Sequence, residues 1–93
     1  MKKKIAILGS TGSIGKNTVK IINNCKKDFD VMFLSTNNNI KELYKQSINL
    51  NPKAVIIFNP KKFLKFKNKF IKKKIKVFNS FNDLKSSIIK KKN

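Results

Sequence analysis

All three glycines of this 93-residue chain fall within seven positions, at Gly9, Gly12 and Gly15, in the string Leu8-Gly9-Ser10-Thr11-Gly12-Ser13-Ile14-Gly15. Glycine tolerates backbone angles and close approaches that a Cβ forbids. A chain with no glycine in any other turn is marking this loop. The chemistry such a loop can do is anion binding. An apolar run, Ile5-Ala6-Ile7-Leu8, precedes it and a helical pattern follows it. The first N–H groups of a helix lack partners and sit at the positive end of its dipole, so a strand, a glycine turn and a helix in that order cradle phosphate.

Two phosphate loops have to be told apart. The triphosphate loop needs Gly, four residues, then Gly-Lys-Ser/Thr. Gly15-Lys16 starts that match, but the earlier glycine would have to stand at Ser10, and Asn17 occupies the place of the magnesium-binding hydroxyl. The dinucleotide loop fits better. Gly9 makes the tight turn, Gly12 admits a pyrophosphate to the backbone, and Gly15 lets the helix pack closely on the sheet. The spacing is G-x-x-G-x-x-G, one residue wider at the start than the usual fingerprint. A dinucleotide site of the NAD type places an acid at the end of the second strand, where it accepts from the ribose 2′-hydroxyl. Here that segment reads Leu34-Ser35-Thr36-Asn37-Asn38-Asn39, with no acid. Nothing in it repels a 2′-phosphate, so the residues point to NADP over NAD.

The elements that must position this loop alternate. Ile5–Leu8, Val31–Leu34, Ala54–Phe58 and Lys76–Phe78 read as strands, the first as the continuous apolar run of a parallel strand buried on both faces and the third as the clearest of the four. Between them lie helical spacings. Ile14, Thr18, Ile21, Ile22 and Cys25 form one stripe, with Ser13 or Thr11 as its cap. Ile40, Leu43, Tyr44, Ser47 and Ile48 form a second, ended by Asn51-Pro52. Phe63, Phe66 and Phe70 form a third, read as core packing and not as base stacking. Phe81, Leu84, Ile88 and Ile89 form the last. Thr36 to Asn39 reads as a turn, since Asn tolerates left-handed angles. The expected fold is α/β: a Rossmann-like parallel sheet of about four βα units with helices on both faces.

Composition bounds the rest. There are 23 Lys and Arg residues, all of them lysine, against four acids and no histidine, for a net charge of +19. A nucleic-acid binder would use arginine for bidentate contacts. Its absence, together with the abundance of Lys, Asn and Ile, points to A/T-rich coding instead. The lone Cys25 rules out a disulfide framework, and no apolar stretch approaches a membrane span. The chain therefore reads as cytosolic and reduced, with no membrane partner and no metal site of its own.

Ala6 to Gly15 followed by Thr18 resembles the opening of the 1-deoxy-D-xylulose 5-phosphate reductoisomerase family. The likeness continues through Phe29-Asp30-Val31, Asn39-Ile40, Leu43, Gln46 and Asn51-Pro52-Lys53. It covers the first half of the chain closely and the remainder by topology. The resemblance implies an NADPH-dependent oxidoreductase of the non-mevalonate isoprenoid pathway. Its substrate is 1-deoxy-D-xylulose 5-phosphate and its product 2-C-methyl-D-erythritol 4-phosphate, with Mg²⁺ or Mn²⁺ holding the substrate oxygens in a homodimer. By position, the resemblance assigns Thr11, Gly12, Ser13 and Ile14 to the pyrophosphate loop. It assigns Asn37, Asn38 and Asn39 to the turn that meets the adenosine end of NADPH. Asn39 agrees with the family pattern, whereas Asn38 replaces a frequent basic residue and Asn37 a frequent small one. Lys41 is the candidate substitute partner for a 2′-phosphate.

Family members run to several hundred residues. The expectation is therefore that residues 1–93 are the N-terminal part of an NADPH-binding domain, from a truncated or split gene, without catalytic or metal-ligating residues and inactive alone. Two other readings stay open: a small basic nucleic-acid-binding protein, and a non-functional remnant of a degraded gene.

Overall fold

A computed structural model describes the backbone of residues 2–92 and the side chains of residues 2–86. Four strands, β1 (Lys3–Ile7), β2 (Phe29–Thr36), β3 (Ala54–Ile57) and β4 (Lys76–Phe78), alternate with four helices. The helices are α1 (Ser13–Asn24), α2 (Ile40–Leu50), α3 (Pro60–Ile71) and α4 (Phe81–Lys92), and a single 3-10 turn, Lys26–Asp28, leads into β2. All strand pairs are parallel and the order is β1-β2-β3-β4. The expected α/β sheet of four βα units is therefore present.

Each connection steps one strand in the same direction. With a constant crossover hand, that puts α1, α2 and α3 on one face. The main core lies there, where Leu34, Leu43, Val55, Ile57 and Phe70 are fully buried and Ile7, Ile22, Val31 and Ile40 nearly so. Each such side chain contributes about 1.5–3 kcal/mol by leaving water. The other face carries Phe33, Ile56 and Phe78 by alternation. There Phe81 of α4 packs against Phe33 and Phe58, with ring centroids 5.9 and 5.4 Å apart. Helices thus lie on both faces, three on one and one on the other.

Strand β2 would lose its alternation without one irregularity. Ile5 pairs with Val31 but Ala6 with Phe33, so Met32 is an extra residue. This bulge brings Val31 and Leu34, three apart in sequence, to the same core face.

Local chemistry sets the helix limits. Asn39 caps α2 by accepting from the Glu42 N–H at 3.2 Å, and Asn59 caps α3 by accepting from the Lys62 N–H at 3.1 Å. Pro60 occupies the first turn of α3, where a missing N–H costs nothing. Asn51 ends α2 in the left-handed region with φ +49°. The left-handed Asn is therefore at this C-cap and not in the segment 37–39, where no positive φ occurs.

Two helix stripes need correction. In α1, Ile14 and Ile21 are 84% and 64% exposed, and the face that meets the sheet runs through Gly15, Val19 and Ile22. Gly15 lies directly against the backbone of Gly9 and Ser10. In α2, Ile48 is exposed and Leu50 takes its place in the core. The phenylalanine stripe of α3 is core packing as expected, with Phe70 buried against Tyr44 at 5.5 Å and Phe63 and Phe66 half-buried beside it. In α4, Ile88 and Ile89 lie outside the described side chains. Strand β1 stops at Ile7, leaving Leu8 exposed in the turn, and β2 extends two residues beyond Leu34, so Thr36 belongs to the strand and not to the turn.

Candidate functional site

The glycine loop leaves the carboxyl end of β1, the end where open parallel sheets bind ligands. Its three glycines do different work. Gly9 adopts φ +61°, which an L side chain rarely takes. Gly15 packs its Cα against the loop: a Cβ there would overlap the Gly9 carbonyl oxygen and stand 2.7 Å from Ser10 Cα. Gly12 is under no such restraint, since a Cβ on it would meet only the Gly9 oxygen, at 3.5 Å. Gly12 is also the N-cap of α1, with extended backbone.

Neither Ser13 nor Thr11 caps this helix. Gly12 has no side chain to do so, and no side chain caps the N–H groups of the first turn. The other three helix starts are closed by Asn39, Asn59 and Ser80. Thus α1 presents the N–H groups of its first turn uncapped, onto a cavity of about 510 Å³ lined by Ile7, Leu8, Gly12, Ser13, Ile14 and Thr18. No acid is in that lining.

Hydrogen bonds tie the loop to the end of β2. The Gly9 N–H donates to Ser35 Oγ at 2.8 Å and the Ser10 N–H to the Ser35 carbonyl at 2.9 Å. Thr11 Oγ1 lies 2.7 Å from Thr36 Oγ1, and Thr36 Oγ1 also accepts from the Asn39 N–H at 3.2 Å. Gln46, 3% exposed, reaches from α2 to donate to the Ser10 carbonyl at 2.9 Å and to Glu42 Oε2 at 3.2 Å. Its Oε1 is buried without a partner.

The segment 37–39 is held from the connection between β3 and α3. Asn59 Nδ2 donates to Asn38 Oδ1 at 2.7 Å, and the Asn59 N–H donates to the Asn37 carbonyl at 3.3 Å. Beside Asn39, the side chains of Lys41, Glu42, Lys45 and Lys69 line a cavity of about 500 Å³. Lys69 Nζ sits 4.2 Å from the Tyr44 ring centroid.

The structure therefore brings Thr11, Gly12, Ser13 and Ile14 to one end of the sheet with Asn37, Asn38 and Asn39, and links the two groups through Thr36. Sequence reading placed Ser35 and Thr36 in the segment that meets the adenosine end but missed their bonds to the glycine loop, and it missed Asn59 altogether. The available signal was polar residues at the ends of buried strands. A third cavity, about 490 Å³, lies at the opposite end of the sheet among Lys2, Lys26, Asp30, Lys53 and Lys74. The helices end there, and the lysines complement the negative ends of their dipoles. Among the described residues no group of three or more His, Cys, Asp or Glu side chains could hold a metal ion. No helix is long and apolar enough to cross a membrane.

A parallel α/β sheet whose first strand runs through a glycine turn into an uncapped helix belongs to the Rossmann-like class. The family model for 1-deoxy-D-xylulose 5-phosphate reductoisomerase matches residues 5–92. The chain belongs to that family. It is 47% identical over 83 residues to the reductoisomerase of Pelagibacter ubique, covering 88% of this chain and 21% of that protein. It is 52% identical over 75 residues to that of Wigglesworthia glossinidia brevipalpis, covering 80% of this chain and 19% of that protein. The chain thus spans about a fifth of the length of these relatives. The sequence suggested a close likeness over the first half and one of topology over the remainder; the family match runs to residue 92.

Among solved structures, the Zymomonas mobilis reductoisomerase in complex with NADPH superposes with a TM-score of 0.79 at 26% identity, over 84% of this chain and 21% of that one. A reductoisomerase in complex with magnesium shares the fold, with a TM-score of 0.76 at 21% identity over 90% of this chain.

Proposed function

We propose that this chain binds NADPH, as residues 1–93 of the cofactor domain of a 1-deoxy-D-xylulose 5-phosphate reductoisomerase. The observation that carries the reading is the uncapped start of α1 behind Gly12, beside a cavity without an acid, in a chain of this family. The N–H groups of Ser13, Ile14 and Gly15 and the hydroxyl of Thr11 receive the pyrophosphate. Asn37, Asn38 and Asn39 meet the adenosine end, and Lys41 is the nearest candidate cation in sequence for the 2′-phosphate. The related Zymomonas protein was crystallised with NADPH, which supports the same cofactor here. NADPH supplies the hydride for the reduction of 1-deoxy-D-xylulose 5-phosphate to 2-C-methyl-D-erythritol 4-phosphate in isoprenoid biosynthesis.

The residues described here do not fit the divalent cation of that reaction. With no cluster of metal-ligating side chains, no step is assigned to a metal in this chain. Its role in the reaction is to hold the cofactor, in the cytoplasm.

Titration of NADPH against the chain, read by coenzyme fluorescence, tests the reading. Gly12→Val fills the approach to the first-turn N–H groups, while its extended backbone suits valine. The expected result is saturable binding by the unsubstituted chain, lost in Gly12→Val with the circular dichroism unchanged. An unsubstituted chain that binds no NADPH, or a Gly12→Val chain that binds equally well, refutes it.

A further inference from the structure

We infer that Thr36 is a positioning residue that aims the Thr11 hydroxyl at the cofactor pyrophosphate. The inference rests on the NADPH-binding reading and adds a residue that neither the glycine motif nor the turn contains.

The argument is a count of protons. Thr36 Oγ1 is 2% exposed and has two neighbours, the Asn39 N–H at 3.2 Å and Thr11 Oγ1 at 2.7 Å. A hydroxyl has one proton to give and can accept two. The Asn39 N–H can only donate, so it takes one acceptor site on Thr36. If Thr11 also donated to Thr36, the Thr36 proton would be buried with no acceptor among the described contacts. An unmade hydrogen bond of that kind costs about 1–3 kcal/mol. The lower-energy arrangement has Thr36 donating to Thr11. Thr11 is half-buried at the tip of the loop, with its own proton then unclaimed and turned outward. Its proton is the one left free by this arrangement, so it can face a ligand as a donor, which is the polarity an anionic pyrophosphate requires.

The chain Asn39 N–H to Thr36 to Thr11 thus does two things. It fixes the sign of the Thr11 hydroxyl, and it joins the adenosine turn to the pyrophosphate loop through one side chain. Strand pairing makes Thr36 rigid: it lies beside Ile57 in the β2–β3 ladder, and its carbonyl accepts from the Phe58 N–H at 3.0 Å.

The test uses two ligands, NADPH and adenosine 2′-phosphate, which lacks the pyrophosphate. Dissociation constants come from amide chemical-shift titrations of the full chain. Thr36→Val keeps the shape and removes the hydroxyl. It is expected to weaken NADPH about ten-fold, the scale of one hydrogen bond to a charged group, and to weaken adenosine 2′-phosphate clearly less, through the freed Asn39 N–H alone. Thr36→Ser is expected to restore NADPH affinity. Thr11→Val, at the accessible end of the same bond, is expected to match Thr36→Val, with the double variant no weaker than either alone. Unchanged NADPH affinity in Thr11→Val overturns the inference even if Thr36→Val fails to fold. Equal losses for both ligands in Thr36→Val, or additive losses in the double variant, also overturn it. An unsubstituted chain that binds no NADPH removes this inference together with the proposed function, whereas normal binding with unaffected variants removes the inference alone.

Discussion

Replacing Gly15 by alanine adds one methyl group at the point where α1 crosses the glycine loop. That methyl would overlap the Gly9 carbonyl oxygen and lie 2.7 Å from Ser10 Cα and 2.8 Å from the Ser10 carbonyl carbon. Ordinary carbon–carbon contact is about 3.5–4.0 Å, so helix and loop must separate by roughly 1 Å. Both partners are backbone, and no side-chain rotation relieves the clash. Overpacking costs about 1–3 kcal/mol, and the rigid partners here argue for the upper end. Against it stands the helix propensity of alanine over glycine, about 1 kcal/mol. The net is a loss of about 2 kcal/mol. For a domain of this size, 1 kcal/mol moves Tm by roughly 4–8 °C, so Gly15→Ala is expected to unfold about 10 °C below the unsubstituted chain. Thermal unfolding followed by circular dichroism at 0.3 M salt is the assay. Gly12→Ala is the control, since its methyl meets the Gly9 oxygen at 3.5 Å, and its stability should stay within about 1 kcal/mol. A Gly15→Ala chain that unfolds at or above the original Tm would refute the packing argument.

Gln46→Glu turns the amide that donates to the Ser10 carbonyl into a carboxylate facing that carbonyl and the Glu42 carboxylate. The expected loss is about 2–4 kcal/mol at neutral pH. Burial and Glu42 raise the new carboxyl's folded pKa above its unfolded value, so the loss should shrink as pH falls through that range, and a pH-independent deficit in urea unfolding argues against it. Lys41→Ala should lower the preference for NADPH over NADH about two- to five-fold, the scale of one exposed ion pair, measured as the ratio of dissociation constants. An unchanged ratio excludes Lys41 as the 2′-phosphate partner. Added salt should raise Tm, because 23 lysines face only four acids and the screening length falls from about 10 Å at 0.1 M to about 3 Å at 1 M. A flat profile in sodium chloride counters the view that self-repulsion limits stability.

Local features were legible in the chain because their causes are local. Gly9 marks a tight turn, Asn51-Pro52 a helix end, and the run from Ala54 a strand. The stripe of α1 was misread for an equally physical reason. Periodicity counts apolar side chains and so selected Ile14 and Ile21, but the tightest contact of that helix is made by Gly15, which has no side chain to count. The bulge at Met32 escaped notice because it depends on the pairing of β2 with β1, 26 residues away at the matched Ile5 and Val31.

The sequence by itself determined the order of elements, the phosphate-binding character of the glycine loop, the lack of an acid in the segment 34–39, and the family. Each follows from residue types read along the chain. Only the tertiary structure decided how that loop is held. Ser35, Thr36, Gln46 and Asn59 stand in a strand end, a helix and a turn, and nothing in the sequence shows that they hold the loop or the segment 37–39. They reach the site because parallel strands align the carboxyl ends of β1, β2 and β3. That alignment places Thr36 2.7 Å from Thr11, although the two are 25 residues apart. Hydrogen-bond partners separated so far are chosen by sheet register, which no local pattern encodes.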